Sequence, residues 1–306
     1  MRSSVCLGWT MEGEDLGCDV VFECASTVSS PRGLPDGRLL AASPFPDSFV
    51  TAIVQTGGGY LLRIRDLVDV HMSSALDRVT CELAPAVTVA HVRDLVPTIF
   101  SALLSLRGET VLHGSAAYAV PYLAPRDGAI AFVGSSGAGK SSWAGLLCTL
   151  GARFVTDDVL PVRATGGRVT INGGGSELRL RHSAASLLAD LSNRPTRDTV
   201  DERTAVTLAA GPYAAIPIEA VMLLRPDDER TTAEVERLGA LDATFALAGM
   251  QRTVGWHVPD AHRAHFPTIV SLAESVPVLA VHYARSPSQE ASTTRAVLES
   301  IAKVLS

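Results

Sequence analysis

The run Gly134-Ser135-Ser136-Gly137-Ala138-Gly139-Lys140-Ser141 constrains this chain more than any other feature, because its glycines let the backbone turn sharply between two regular elements. Ala129-Ile130-Ala131-Phe132-Val133 before it is an apolar run of strand length, and Ser142 to Leu150 after it reads as a helix. Strand, glycine loop and helix make a βα unit in which loop amides and the first helical turn converge on one point. Unpaired N–H groups and the helix dipole make that point attractive to an anion. The pattern G-x-x-x-x-G-K-[ST] is that of a phosphate loop. Only two lysines, Lys140 and Lys303, occur among the 26 basic residues. A chain that otherwise writes arginine places a compact ammonium where β- and γ-phosphate oxygens would lie. These eight residues and Ser142 are the expected nucleotide contacts, with the Ser141 hydroxyl on Mg2+.

With 306 residues and 47% hydrophobic content, the chain can bury one large core or two modest ones. A net charge of -6 and the absence of any long basic block argue against nucleic acid or an anionic membrane as a partner, so an anion site must be local. Glu12, Glu14 and Asp15 stand where a signal peptide needs an apolar core, and no run approaches the ~18 apolar residues of a membrane span. A cytoplasmic protein is expected. Cys6, Cys18, Cys24, Cys81 and Cys148 are odd in number and form no C-x-x-C pair, so they read as small hydrophobes.

Residues 1–85 contain short alternating runs, such as Phe49-Val50-Thr51-Ala52-Ile53-Val54, separated by turns at Pro31 to Gly37 and Gly57-Gly58-Gly59. This is the pattern of a small β-rich module, with residues 86–306 forming the second domain. Val89, Val92, Val96, Ile99, Leu103 and Leu106 predict an amphipathic helix, with a kink or break at Pro97. Thr110 to Val120 reads as one strand and forms a hairpin with the strand before the loop. Arg153 to Thr156 follows as a strand, and Asp190 to Glu202 is polar enough to predict a mobile loop. Later strands are expected at Ile218–Leu224 and Val276–Tyr283, with helices near 240–251, 260–275 and 293–305.

Asp157-Asp158 ends the strand that follows the loop helix, 17 and 18 residues beyond Lys140. One helix and one strand of that length return the chain to the phosphates. Carboxylates there can hold Mg2+ or accept the proton of an attacking hydroxyl, and two adjacent acids can divide those tasks. His113-Gly114 on the preceding strand is a third candidate; taken alone, an imidazole on an apolar strand more often packs than reacts.

His113-Gly114, Gly134 to Ser141 and Asp157-Asp158 together resemble the HPr kinase/phosphorylase family and its relatives, which carry a His-Gly, a G-x-S-G-x-G-K-S loop and an Asp-Asp pair in this order. The resemblance runs well over residues 110–163 and more loosely to the C-terminus; residues 1–85 lie outside it. It implies an α/β fold with a P-loop kinase core of the HPr kinase/PEP carboxykinase type, a mixed sheet flanked by helices, with the small β-rich module added. It implies ATP and Mg2+, with Asp158 as proton acceptor, Asp157 supporting it or the metal, and Lys140 on the phosphates. Ser141 would be a metal ligand, and His113 would lie near the transferred group. The glycine-containing signature that supplies a metal-binding Glu in that family has no clear counterpart here; Glu177 is the nearest acid of the right type.

His257, His262 and His265 share helical spacing, but Pro259 interrupts it, and they read as a surface or cap cluster. Asp227-Asp228-Glu229-Arg230 reads as a solvated turn. Arg194, Arg197 and Arg203 are cations of the type that can cover a transferring phosphate. The resemblance implies a serine kinase for a peptide or small protein, lasso precursor peptides among them. A small-molecule alcohol such as an amino acid or sugar remains as a second acceptor class, and an ATP-binding scaffold without transfer as a third reading. ATP against GTP and homo-oligomer formation stay open.

Overall fold

Alternation of apolar and polar residues over 51–83 gives strands with one buried face. The computed structural model describes residues 21–25, 33–45, 48–120, 128–211, 214–230, 232–284, 294, 297–299 and 302–303. The chain divides into two compact units, residues 1–111 with 253–265, and residues 112–252 with 266–306.

The first unit contains β1 (Val21–Ala25), β2 (Arg38–Phe45), β3 (Ser48–Thr56), β4 (Gly59–Ile64), β5 (Val68–Ser73) and β6 (Arg78–Leu83), in the sheet order β1-β6-β5-β4-β3-β2. Strands β2 to β6 form an antiparallel meander, and β1 joins β6 in parallel. Helix α1 (Val89–Leu106) lays Val92, Ile99 and Leu103 onto Ile53, Leu62, Val70 and Val79 of this sheet. It is continuous through Pro97, so no break occurs. The segment 253–258 returns along the outer edge of β2. Ala42 N–H donates to the Gly255 carbonyl (2.9 Å) and His257 N–H to that of Leu40 (2.7 Å). Covering an edge strand in this way removes a template for aggregation. Gly255 is required for the approach: its φ is 73°, and a Cβ there would lie 1.8 Å from the Ala42 carbonyl oxygen.

The compact units therefore do not divide at residue 85. The apolar stripe of α1 is buried in the core of the β-rich unit, and Trp256 and Val258 pack against the same core from far along the chain. A boundary drawn from composition misses both.

The strand expected over Thr110 to Val120 is interrupted at His113, which separates β7 (Thr110–Leu112) from β8 (Gly114–Tyr118). His113 N–H leaves the ladder and donates to the Met250 carbonyl (2.7 Å). In the second unit, β8 forms the expected antiparallel pair with β9 (Ala129–Gly134), and α2 (Lys140–Thr149) leads to β10 (Arg153–Thr156) on the other edge of β8. β11 (Leu160–Thr165), β12 (Arg168–Asn172), β13 (Glu177–Arg181), α3 (Ala185–Asp190), β14 (Thr196–Asp198), β15 (Arg203–Thr207) and the long β16 (Ala215–Pro226) follow. β17 (Glu234–Arg237), α4 (Ala240–Ala248), α5 (Pro259–Ser275) and β18 (Val278–Tyr283) come after it. β16 runs parallel to β9 on one side. On the other it pairs first with β12, antiparallel, and then with β18, parallel, so the sheet is mixed and divides around one strand.

This sheet is buried on both faces, as a continuous apolar run such as Ala129 to Val133 requires. Phe132 and Met222 point into a core with Trp143, Leu147 and Leu178 of α2 and β13. Val133, Val221 and Leu223 point into another core with Ile269 and Leu272 of α5. The polar stretch 190–202 is not a loop throughout: Thr196–Asp198 is β14, paired to β15 within the small sheet β13-β15-β14. The final helix is seen at residues 294, 297–299 and 302–303, and the remainder of 293–305 lies outside the described residues. Cys6, Cys18 and the 121–127 turn lie outside them too. Among the described residues no helix is long and apolar enough to cross a membrane.

Candidate active site

The loop is built as its glycines anticipate. Gly134, Gly137 and Gly139 have φ of 155°, 80° and 85°. A Cβ on Gly134 would lie 2.8 Å from the Leu224 carbonyl oxygen, and one on Gly139 would lie 2.8 Å from the Tyr283 hydroxyl. The Tyr283 hydroxyl itself donates to the Ala138 carbonyl and so pins the loop from β18. Ser135, Ser136 and Gly137 form the exposed crest; Ala138 is buried, and Ser141 and Ser142 are half-buried. Lys140 opens α2 and is buried at 6% exposure, with Nζ donating to the carbonyls of Gly134 (3.0 Å) and Ser135 (2.9 Å). Burial pushes its pKa down, and the Asp158 and Asp157 carboxylates oppose that shift.

Pairing of β10 with β8 carries the acid pair to the loop. Asp157 is buried and fully engaged. Its Oδ1 accepts from the Ser115 hydroxyl, the Ser141 hydroxyl (2.8 Å) and the Asp158 N–H (3.1 Å), and its Oδ2 accepts from the Arg179 N–H (2.9 Å). Burial and the adjacent Asp158 charge push the Asp157 carboxyl above the usual range, against the pull of those donors. Asp158 takes a left-handed backbone (φ 68°), which turns its carboxylate away from that of its neighbour. Oδ1 of Asp158 lies 3.3 Å from His113 Nε2. Burial would raise this carboxyl, but the His113 bond and the nearby charges of Arg252 and Arg203 outweigh it and hold Asp158 well below the usual range. Of the two acids, Asp158 ionises first.

The structure thus gathers Lys140, Ser141, Asp157, Asp158 and His113, all named from sequence. Glu177 is held elsewhere: its two oxygens accept from Arg197 Nε (3.1 Å) and Nη2 (2.8 Å) in a fork-on-fork pair. His265 is buried while His257 and His262 are exposed, so these three do not form a cluster. Among the described residues no group of three or more His, Cys, Asp and Glu side chains is arranged to hold a metal ion. Sequence reasoning missed Ser115, the Arg179 amide, Arg252 and Tyr283. None of them left a local signal, since each reaches the site from an element distant in sequence.

No family model and no curated protein matches this chain. Among solved structures, the HPr(Ser) kinase/phosphatase from Coxiella burnetii is similar over 64% of this chain and 99% of its own, with a TM-score of 0.32 and 8% sequence identity. The functional reading therefore rests on the residues of the site themselves.

Proposed function

We propose that this protein is an ATP- and Mg2+-dependent kinase that transfers the γ-phosphoryl group to a serine hydroxyl of a peptide or small protein. The observation that carries the reading is the unequal treatment of the acid pair. Asp157 is saturated by four donors, one of them Ser141 of the phosphate loop, while Asp158 is turned aside toward His113. The Ser141 hydroxyl oxygen would be the ligand offered to Mg2+, and Asp157, whose oxygens already accept four hydrogen bonds, would act on the ion through one of its waters. Bound there, Mg2+ would supply neutralisation of phosphate charge.

The chain's own groups do the rest. Lys140 turns its N–H donors from the Gly134 and Ser135 carbonyls to phosphate oxygens, and its burial strengthens that interaction. Asp158 accepts the proton of the acceptor hydroxyl, whose oxygen bonds to the γ-phosphorus as the bond to the bridging oxygen breaks and ADP leaves. His113 orients the Asp158 carboxylate through Nε2. A carboxylate held this low is a weak base. Its contribution is positioning with a late proton transfer, which suits a loose transition state.

Asp158→Asn tests the assignment, since asparagine tolerates the left-handed backbone and keeps the shape. Transfer from ATP to serine peptides should fall by about 10²–10⁴-fold, with binding of a fluorescent ATP analogue retained. Wild-type turnover in the variant would remove Asp158 from the role. Nucleotide binding by the wild type, with no transfer to any hydroxyl offered, would leave the scaffold reading in its place.

A further inference from the structure

Arg197 and Arg203, two of the arginines singled out from the sequence, are engaged by Glu177 (2.8 Å) and Asp201 (2.9 Å). The structure brings a different arginine to the reaction centre. The chain leaving α4 runs back to the strand break at His113: the Met250 carbonyl accepts the His113 N–H (2.7 Å), and Gln251 forms a single antiparallel bridge with Leu112. Leu112 is fully buried, so that bridge has a fixed anchor. Arg252 is the next residue and is half-buried. It stands two positions from the carbonyl that fixes His113, whose Nε2 lies 3.3 Å from Asp158. One short stretch of backbone thus places both His113 and Arg252.

Electrostatics agree with that placement. Burial raises the Asp158 carboxyl, and after the His113 hydrogen bond the Arg252 charge does most to lower it, ahead of Arg203. Burial lowers the Lys140 ammonium, and of the two cations acting on it Arg252 is again the stronger and Arg203 the weaker. Charge effects fall with distance, so the Arg252 guanidinium is near both the group that would receive the proton and the group that would hold the phosphates. Its planar fork of donors fits paired phosphoryl oxygens, where the lysine ammonium acts as a point charge.

We propose that Arg252 grips oxygens of the γ-phosphoryl group of a bound triphosphate, forming with Lys140 a two-cation clamp on the group to be transferred. This rests on the kinase reading for the transfer itself, but the clamp has its own readout in nucleotide binding without an acceptor. During transfer Arg252 takes no proton and forms no covalent bond. Phosphorus exchanges the bridging oxygen for the acceptor oxygen, the acceptor's proton goes to Asp158, and the guanidinium neutralises the oxygens between them. The test is titration calorimetry of the full chain with Mg2+ and either ADP or the β,γ-imido analogue of ATP. The wild type should prefer the triphosphate about tenfold or more. Arg252→Gln should bring that ratio close to one and leave ADP affinity almost unchanged, which also shows that the variant is folded. Arg252→Lys should restore only part of the ratio, since it returns the charge without the fork; should Arg252→Gln not fold, Arg252→Lys carries the same test. An arginine that merely tunes Asp158 would behave differently: its loss would move the acid limb of the transfer profile to higher pH and leave the ratio alone. A wild-type ratio in Arg252→Gln would therefore overturn the proposal. A wild type that shows the expected ratio but transfers phosphate to no hydroxyl would count against the kinase reading and not against the clamp.

Discussion

Asp157 sets the cost of the site at the residue scale. A buried carboxylate survives because four donors converge on it, and the Ser115 hydroxyl is the only side-chain donor among them from outside the phosphate loop. Ser115→Ala should therefore destabilise the chain by about 1.5–3 kcal/mol at pH 7, the range for a hydrogen bond to a charged group, as read by urea unfolding. The pH dependence has a definite sign. The Asp157 carboxyl is raised in the folded state, so its contribution is fully present below the unfolded value of about 4 and is lost as pH rises through the folded value. Losing a donor raises the folded value further. The gap between variant and wild type should thus narrow as pH falls toward about 4; a gap that widens there would contradict the assignment. Residues such as Lys140, Asp157 and Asp158 were legible in the sequence because each belongs to a local pattern. Ser115 lies 42 positions from its partner and the Arg179 amide 22, and a contact across strands leaves no periodic trace.

At the scale of elements, the strand–loop–helix unit stands on a contact that arrives from β18. Tyr283 reaches back to the Ala138 carbonyl, while Trp143 of α2 meets its ring edge-on at 5.7 Å. Gly139→Ala brings two penalties: a side chain at φ 85°, and a Cβ 2.8 Å from the Tyr283 hydroxyl. Affinity for a fluorescent ATP analogue should drop about tenfold or more, since each 1.4 kcal/mol is a factor of ten. Tyr283→Phe removes the obstructing oxygen, so the alanine should cost less in that background. Equal costs in both backgrounds would show that the two residues are not coupled. Most elements could be read from apolar periodicity, including β9, α2, β10, β16 and α5. The polar strand β14 could not, because Thr196-Arg197-Asp198 owes its extended form to pairing with β15 and not to any buried alternation of its own.

For the whole molecule, the division into units decides which fragments can exist. A chain beginning at residue 86 would keep α1 but lose the strands that bury Val92, Ile99 and Leu103, and would leave Trp256 and Val258 without their core. Exposing the three α1 side chains costs about 4.5–9 kcal/mol, on the scale of the ~5–15 kcal/mol that holds a domain folded. That fragment should be recovered as aggregate. Cutting instead where the compact units divide gives residues 112–252 joined through a Gly/Ser linker to 266–306, which retains both buried faces of the mixed sheet and the complete glycine loop 134–141. It should be soluble, melt cooperatively and bind the ATP analogue within a few-fold of the full chain. The comparison separates two sources of stability. If the 86–306 fragment were the soluble one and the joined fragment the aggregate, α1 and the returning segment would belong energetically to the mixed-sheet unit, and the β-rich unit would not need them to close its core.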